Sequence, residues 1–310
     1  MSLQRVIMLS VHSCPLDVLG GINTGGMNAY IRNLSRKLGQ NGVNVDIFTR
    51  LKNPSVPRIV HMDERVRVIH IKAGSEEPCH KNLIWNHLPE FLKGVLDFVK
   101  EEGIHYDLLH SHYWLSGWAA RKLGTEWGIP IVHTSHTLGF LKNQVARRED
   151  EKEPSLRLEK EAEILNAVDS IIATTPLEKT QLNREFHIPL NRIEVIPCGV
   201  DCSLFKPWSS EEAKNHLGLN GQKFVLFVGR IDPIKGIDNL IRAMDIMTRG
   251  NGHDIDGTKL LIIGGSVSNE GQNKNGEFKN LKNLTSKLNL EERVEFLGAK
   301  RQDLLPYYYS

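Results

Sequence analysis

Two hydrophobic patterns alternate along the chain. Short β-branched runs end in Gly, Ser, Thr or His. Each is followed by a longer stretch in which apolar residues recur at helical spacing. The runs predict strands at 6–11, 43–49, 66–71, 108–111, 131–134, 170–174 and 193–196, and then at 224–228, 259–263 and 294–297. The helical stretches are 28–40, 89–102, 116–127, 155–167, 177–186, 211–217, 237–248, 277–288, and 301 to the end. Strand followed by helix, many times over, predicts βαβ units with right-handed crossovers and mostly parallel sheets.

The rhythm breaks once, at the linker running from Pro197-Cys198-Gly199 to Pro207-Trp208-Ser209. It divides an N-terminal domain of residues 1–206 from a C-terminal one of 207–310. Ser209 is a helix N-cap candidate, with Glu211 and Glu212 in the first turn and Gly218 as the stop. The Asn-, Gly- and Lys-rich segment 265–276 reads as a solvated loop.

Composition narrows the class. With 310 residues, 40% hydrophobic and 25% charged, the chain is that of an ordinary globular protein, not a disordered or collagen-like one. A net charge of +2 with no basic tail gives no reason to expect a nucleic-acid partner. No apolar run approaches the roughly 18 residues a membrane span needs. The start lacks a charged segment followed by a long apolar one, so a cytoplasmic location is expected. Cys14, Cys79, Cys198 and Cys202 are too scattered for a disulfide framework, and no metal-ligand pairing accompanies them.

The candidate chemistry gathers at strand ends. Gly20-Gly21-Ile22-Asn23-Thr24-Gly25-Gly26 follows the first strand and opens the first helix. It has neither dinucleotide-fingerprint nor Walker spacing, which leaves a phosphate-facing loop or a plain turn, with the loop the better reading. Arg230 and Lys235 follow the first strand of the second domain. A planar fork beside a point charge suits a diphosphate, and two solvated cations is the competing reading. His110, His112, His133 and His136 lie at two further strand ends, where hydrogen bonding to a sugar or phosphate is favoured over a metal. The stretch 156–163, holding Arg157, is charged at helical spacing and reads mostly as a solvated face.

Taken together, these segments resemble the retaining nucleotide-sugar glycosyltransferases of family four, with the GT-B fold. The resemblance spans the chain. It rests on Gly25-Gly26, on Ile196-Pro197-Cys198-Gly199-Val200-Asp201 with Phe205 and Pro207, and on Phe227-Val228-Gly229-Arg230-Ile231 with Lys235-Gly236. Within the family, Gly25-Gly26-Met27-Asn28, 111–117, and His136-Thr137-Leu138 with Lys142-Asn143 are similar to the D-inositol-3-phosphate glycosyltransferase group. Sucrose-phosphate synthases share much of this pattern.

The resemblance implies an α/β protein of two Rossmann-like domains with mostly parallel sheets, the second incomplete. It implies donor-diphosphate binding by Arg230, Lys235 and Gly25, and a reacting centre at His136, Gly25 and Gly26. Acceptor binding falls to Lys81, Tyr113, Thr137, Arg157 and Asn28, although Glu76 to His80 around Lys81 departs from the family pattern. A nucleotide-diphosphate sugar, with UDP the expected nucleotide, is then the substrate, with no cofactor or metal required. The other substrate is a small acceptor such as inositol phosphate or a sugar phosphate. A homodimer is compatible with the resemblance. The implied chemistry retains the anomeric configuration: cations and helix N–H groups hold the leaving diphosphate, whose own oxygen takes the acceptor's proton. The family's Glu-x7-Glu motif would fall beyond Ser310, and Lys300 stands where the inositol-phosphate group has Arg. The chain therefore reads as truncated, and these residues alone need not be active. A GT-B epimerase or phosphorylase, or an inactive acceptor-binding fragment, is the alternative.

Overall fold

The computed structural model describes residues 3–17, 25–77, 79, 81–146, 148–219, 221–249, 257–265 and 276–310. They form two compact units. One holds the N-terminal strand and Gly26–Gly199, the other Gly25 and Val200–Ser310.

The first unit is built on eight strands: β1 (Arg5–Leu9), β2 (Asn44–Arg50), β3 (Ile59–Asp63), β4 (Val66–Ile71), β5 (Leu108–His112), β6 (Ile131–Thr134), β7 (Ser170–Ala173) and β8 (Ile193–Val195). Their order is β3-β4-β2-β1-β5-β6-β7-β8. Every pairing is parallel except β3 with β4. Its helices are α1 (Gly26–Gln40), α2 (Leu88–Glu102), α3 (Tyr113–Trp127), α4 (Gly139–Gln144), α5 (Ser155–Ala167) and α6 (Pro176–Phe186).

Central parallel strands are covered on both faces, so their apolar runs are continuous. β1 shows this. Ile7 and Leu9 join Phe48, Phe91 and Leu115 in one core layer, while Val6 and Met8 join Ile31, Val45 and Ile47 in the other. Gly117 lets α3 sit close to its neighbours, because a Cβ there would meet Ile164 Cγ2 at 2.7 Å and the His133 ring at 3.0 Å.

The second unit contains α7 (Ser210–Leu217), β9 (Phe224–Val228), α8 (Ile237–Arg249), β10 (Lys259–Ile263), α9 (Gly276–Lys287), β11 (Val294–Gly298) and α10 (Leu305–Tyr309). Its sheet runs β11-β10-β9, all parallel. Ser209 caps α7 in a full capping box with Glu212, and Gly218 ends the helix at φ 69°.

Three elements depart from the sequence reading. β3 and the short α4 were not expected. β3 is a half-buried antiparallel edge strand whose alternation is diluted by His61 and Asp63. α3 begins at Tyr113, not at 116. Most of loop 265–276 lies outside the described residues. Among the described residues no helix is long and apolar enough to cross a membrane.

Candidate functional site

β1 pairs with β2 on one side and with β5 on the other, so the order of connection reverses between β1 and β5. Open α/β sheets bind ligands beyond the carboxyl ends of their strands at such a point. There the chain places His12 after β1, His112 and Tyr113 at the β5–α3 junction, and Ser135 to Thr137 after β6. Tyr113 (φ 75°) and His136 (φ 58°) both hold left-handed backbone. Side chains other than glycine seldom adopt this conformation, and it concentrates where a site dictates geometry.

The rings stack at this junction. The His12 and Tyr113 centroids are 4.3 Å apart, and Tyr30 from α1 meets His112 and His136 edge-on. His112 Nδ1 and His136 Nε2 share a hydrogen bond of 3.0 Å. Below them His110 bonds Thr134 and His133 bonds Ser111, each at 2.9 Å. Burial, helped by neighbouring positive charge, pushes His12, His110 and His133 down to about 3. Burial alone takes His136 to about 4, and His112 falls well below its ordinary value. All five are neutral at physiological pH. Among the described residues His12 Nδ1, His112 Nε2 and Ser135 Oγ are buried and have no hydrogen-bond partner, leaving polar capacity at the strand ends.

Beside the rings lies an ion cluster. Arg157, on α5, is 1% exposed. Its guanidinium lies 4.7 Å from the Tyr113 ring centroid and donates to the Thr137 carbonyl (3.0 Å) and hydroxyl (3.2 Å). It also donates to Glu161 at 2.7 Å and pairs with Glu153 at 3.1 Å. Lys81 and Lys142 each donate to the same Glu153 oxygen at 2.6 Å. Gly139, opening α4, donates its N–H to Glu161 at 2.7 Å. Burial works against the Glu153 charge, but Arg157, Lys142 and Lys81 outweigh it and hold the carboxyl at about 2. Burial lowers Lys81, with Glu153 opposing.

Three cations thus converge on one buried carboxylate oxygen. Lys81, Tyr113, Thr137 and Arg157, far apart in sequence, are linked in one cluster. The reading of 156–163 as mostly solvated is corrected for Arg157 and Glu161: one helical turn apart, they pair and extend the buried face of Ile164 and Leu165. Sequence reasoning gave no role to His12, Tyr30, Lys142, Glu153 or Glu161. His12, immediately after the first predicted strand, carried a positional signal, and Lys142 lay in a segment quoted for the resemblance without a role.

Asn28 is fully buried in α1. It accepts from the Ser13 hydroxyl (2.8 Å) and donates to the Cys14 carbonyl (2.6 Å), tying the helix to the segment after β1. Gly26 is the first residue of α1. Residues 20–24 of the glycine loop lie outside the described residues.

In the second unit Arg230 follows β9 and is half exposed, 3.5 Å from Asp232. Lys235 ends the turn Pro233–Lys235, and Gly236 (φ 64°) leads into α8. Gly264 (φ 150°), just after β10, packs so tightly on the Gly229 carbonyl that a Cβ would overlap it. Gly25, which groups with this unit, would carry a Cβ 3.7 Å from Arg230 Cδ. A separate cleft of 320 Å³ at the amino ends of β1, β2 and β4 is lined by Arg5, Asp46, Arg67 and Glu102. These side chains are tied up in their mutual ion pairs, and a structural role accounts for them.

Comparison with known proteins identifies the family. Residues 24–204 match the model of Glycosyltransferase Family 4, and residues 209–310 that of Glycosyl transferases group 1. The chain is 35% identical over 309 residues to a D-inositol 3-phosphate glycosyltransferase of Acidothermus cellulolyticus, covering 99% of this chain and 68% of that protein. It is 36% identical to one of Corynebacterium efficiens, covering 98% and 71%. Among solved structures, sucrose-phosphate synthase from Thermosynechococcus elongatus aligns with a TM-score of 0.87 at 33% identity, over 99% of this chain and 73% of that one. HepE of Anabaena, solved with UDP and glucose, aligns at 0.68 over 98% and 71%; at 16% identity it speaks to the fold.

Proposed function

The chain belongs to the family 4 glycosyltransferases, and from that membership we propose that it moves a sugar from a nucleotide-diphosphate donor, a UDP-sugar, to a hydroxyl of a small phosphorylated acceptor. Residues 1–206 serve the acceptor and 207–310 the donor. One observation carries the acceptor reading: Lys81, Lys142 and Arg157 converge, with Thr137 and Tyr113 on Arg157, at the carboxyl ends of β5 and β6. A buried guanidinium already oriented by an aromatic face and a threonine is preorganised for a phosphate, because little side-chain freedom is lost on binding. The relatives named for D-inositol 3-phosphate and for sucrose phosphate synthesis agree with a phosphorylated substrate.

In the proposed reaction the bond from the sugar's anomeric carbon to the donor phosphate oxygen breaks. A bond from that carbon to the acceptor oxygen forms on the same face. The acceptor proton passes to the departing phosphate oxygen. Negative charge grows on the diphosphate, and Arg230 and Lys235 stabilise it there. His136, neutral and held by His112, can hydrogen-bond a sugar hydroxyl without introducing a charge.

The test is transfer from a panel of UDP-hexoses to D-inositol 3-phosphate, with the product's anomeric configuration read by NMR. The reading expects a glycoside of retained configuration. An inverted product, or equal transfer to inositol lacking the phosphate, contradicts it.

A further inference from the structure

Glu153 has no part in the proposed reaction, yet three cations meet on it. Its side chain is 3% exposed, and one oxygen, Oε1, meets Lys81 and Lys142 at 2.6 Å and Arg157 at 3.1 Å. An oxygen held by three cations is the coordination expected of a bound anion, and here the anion belongs to the chain itself. The backbone beneath it is pinned. The Asn143 side chain accepts from the Glu153 N–H at 2.7 Å and donates to the Glu153 carbonyl at 3.1 Å. Any departure of the carboxylate is therefore a rotation of the side chain and not a movement of the backbone.

The charges favour such an exchange. Lys81, Lys142 and Arg157 bring three positive charges and Glu161 one negative, a balance of +2; with Glu153 in place it is +1. A phosphate monoester dianion neutralises the cluster only when Glu153 has withdrawn. Placed beside Glu153, it would meet a like charge in a poorly screened setting.

We infer that the Glu153 carboxylate is a tethered occupant of the acceptor-phosphate subsite, displaced when the phosphate enters, and that Lys142 is a phosphate ligand alongside Lys81 and Arg157. This rests on the phosphorylated-acceptor reading above. The tether has two consequences. Empty, the site keeps its cations paired, so they do not force the fold apart. Filled, every anion has displaced the same carboxylate, so all anions lose affinity by one common factor. Free phosphate, with nothing else to bind by, is held weakly. An acceptor whose sugar-like body makes further contacts recovers the loss. Glu153 thereby lowers the occupancy of the site by inorganic phosphate at a given concentration, while the ratio of the two affinities stays the same.

The experiment measures binding of inorganic phosphate, inorganic sulfate, D-inositol 3-phosphate and unphosphorylated inositol by calorimetry. It compares the wild-type chain with Glu153→Gln and Lys142→Met. Glu153→Gln should tighten all three anions by a shared factor of about tenfold or more and leave inositol unchanged. Lys142→Met should weaken the three anions. Anion binding that is unchanged or weaker in Glu153→Gln overturns the exchange, as does a factor that differs among the anions. If Glu153→Gln does not fold, a wild-type crystal soaked in phosphate decides: the carboxylate turned away from Lys142 supports the inference, and the carboxylate still seated on the three cations with phosphate bound refutes it. Phosphate bound by the wild type but no tighter by Glu153→Gln removes this inference alone. Wild-type protein that binds neither phosphate nor D-inositol 3-phosphate removes the acceptor reading itself.

Discussion

Mild acid should unfold the first unit, and the histidines at the strand ends set the range. A histidine in an unfolded chain titrates near its ordinary value of about 6.5. In the folded unit His12, His110 and His133 are held near 3 and His136 near 4, with His112 lower still. Between those values the unfolded chain binds protons that the folded one refuses, so stability falls as pH drops below about 6.5 and is insensitive to these groups above about 7. At about pH 5 each of the four groups with a defined value costs about 2 kcal/mol, about 8 kcal/mol together, against the roughly 5–15 kcal/mol that holds a domain folded. Glu153, held near 2, adds its own loss only below the ordinary carboxylate range. Burial raises Glu161, which therefore acts in the opposite sense. The assay is urea unfolding followed by the fluorescence of Trp85, Trp114, Trp118 and Trp127, which pack within this unit. The midpoint should be flat above about pH 7 and collapse toward about pH 5. Replacing His133 by Gln should remove about 1.4 kcal/mol per pH unit from the slope in that window. A midpoint unchanged between neutrality and about pH 5 would refute the neutral, buried histidine cluster.

Arg157→Lys keeps the charge but loses the fork, and should weaken D-inositol 3-phosphate binding about tenfold, with Arg157→Gln weakening it about a hundredfold; equal affinities for all three proteins would remove Arg157 from the phosphate site. Arg230→Ala should lower UDP affinity by about tenfold or more while leaving acceptor binding intact, which calorimetry with each ligand separates; unchanged UDP binding would end its diphosphate role. Gly264→Ala forces a Cβ onto the Gly229 carbonyl at φ 150°, so the second unit should lose about 2 kcal/mol or more in thermal unfolding; a wild-type melting curve would contradict that packing.

What the sequence revealed depended on whether the signal was local. Val6–Leu9 is a continuous apolar run because β1 is covered on both faces, and it was legible as a buried strand. The Ser209–Glu212 capping box and Gly218 are short-range features and marked α7 within a residue of its start and at its end. β3 escaped because an edge strand buries only half its residues, and His61 and Asp63 are free to be polar. α3 begins at Tyr113, whose left-handed backbone no hydrophobic period encodes. Arg157 and Glu161 resembled a solvated face because charge at helical spacing is the same letter pattern whether the pair is in water or buried. Lys142 and Glu153 could not be joined to Lys81 by spacing at all, since 72 residues separate Lys81 from Glu153 and only the folded sheet closes that gap.

The central claim is that the first unit selects its acceptor by the phosphate. The direct measurement is the affinity of the wild-type chain for D-inositol 3-phosphate against unphosphorylated inositol, with Arg157→Gln alongside. A preference for the phosphate of about a hundredfold or more, largely erased in Arg157→Gln, is the predicted result. Equal affinity for the two ligands, or a preference that survives the loss of the Arg157 guanidinium, would contradict the account.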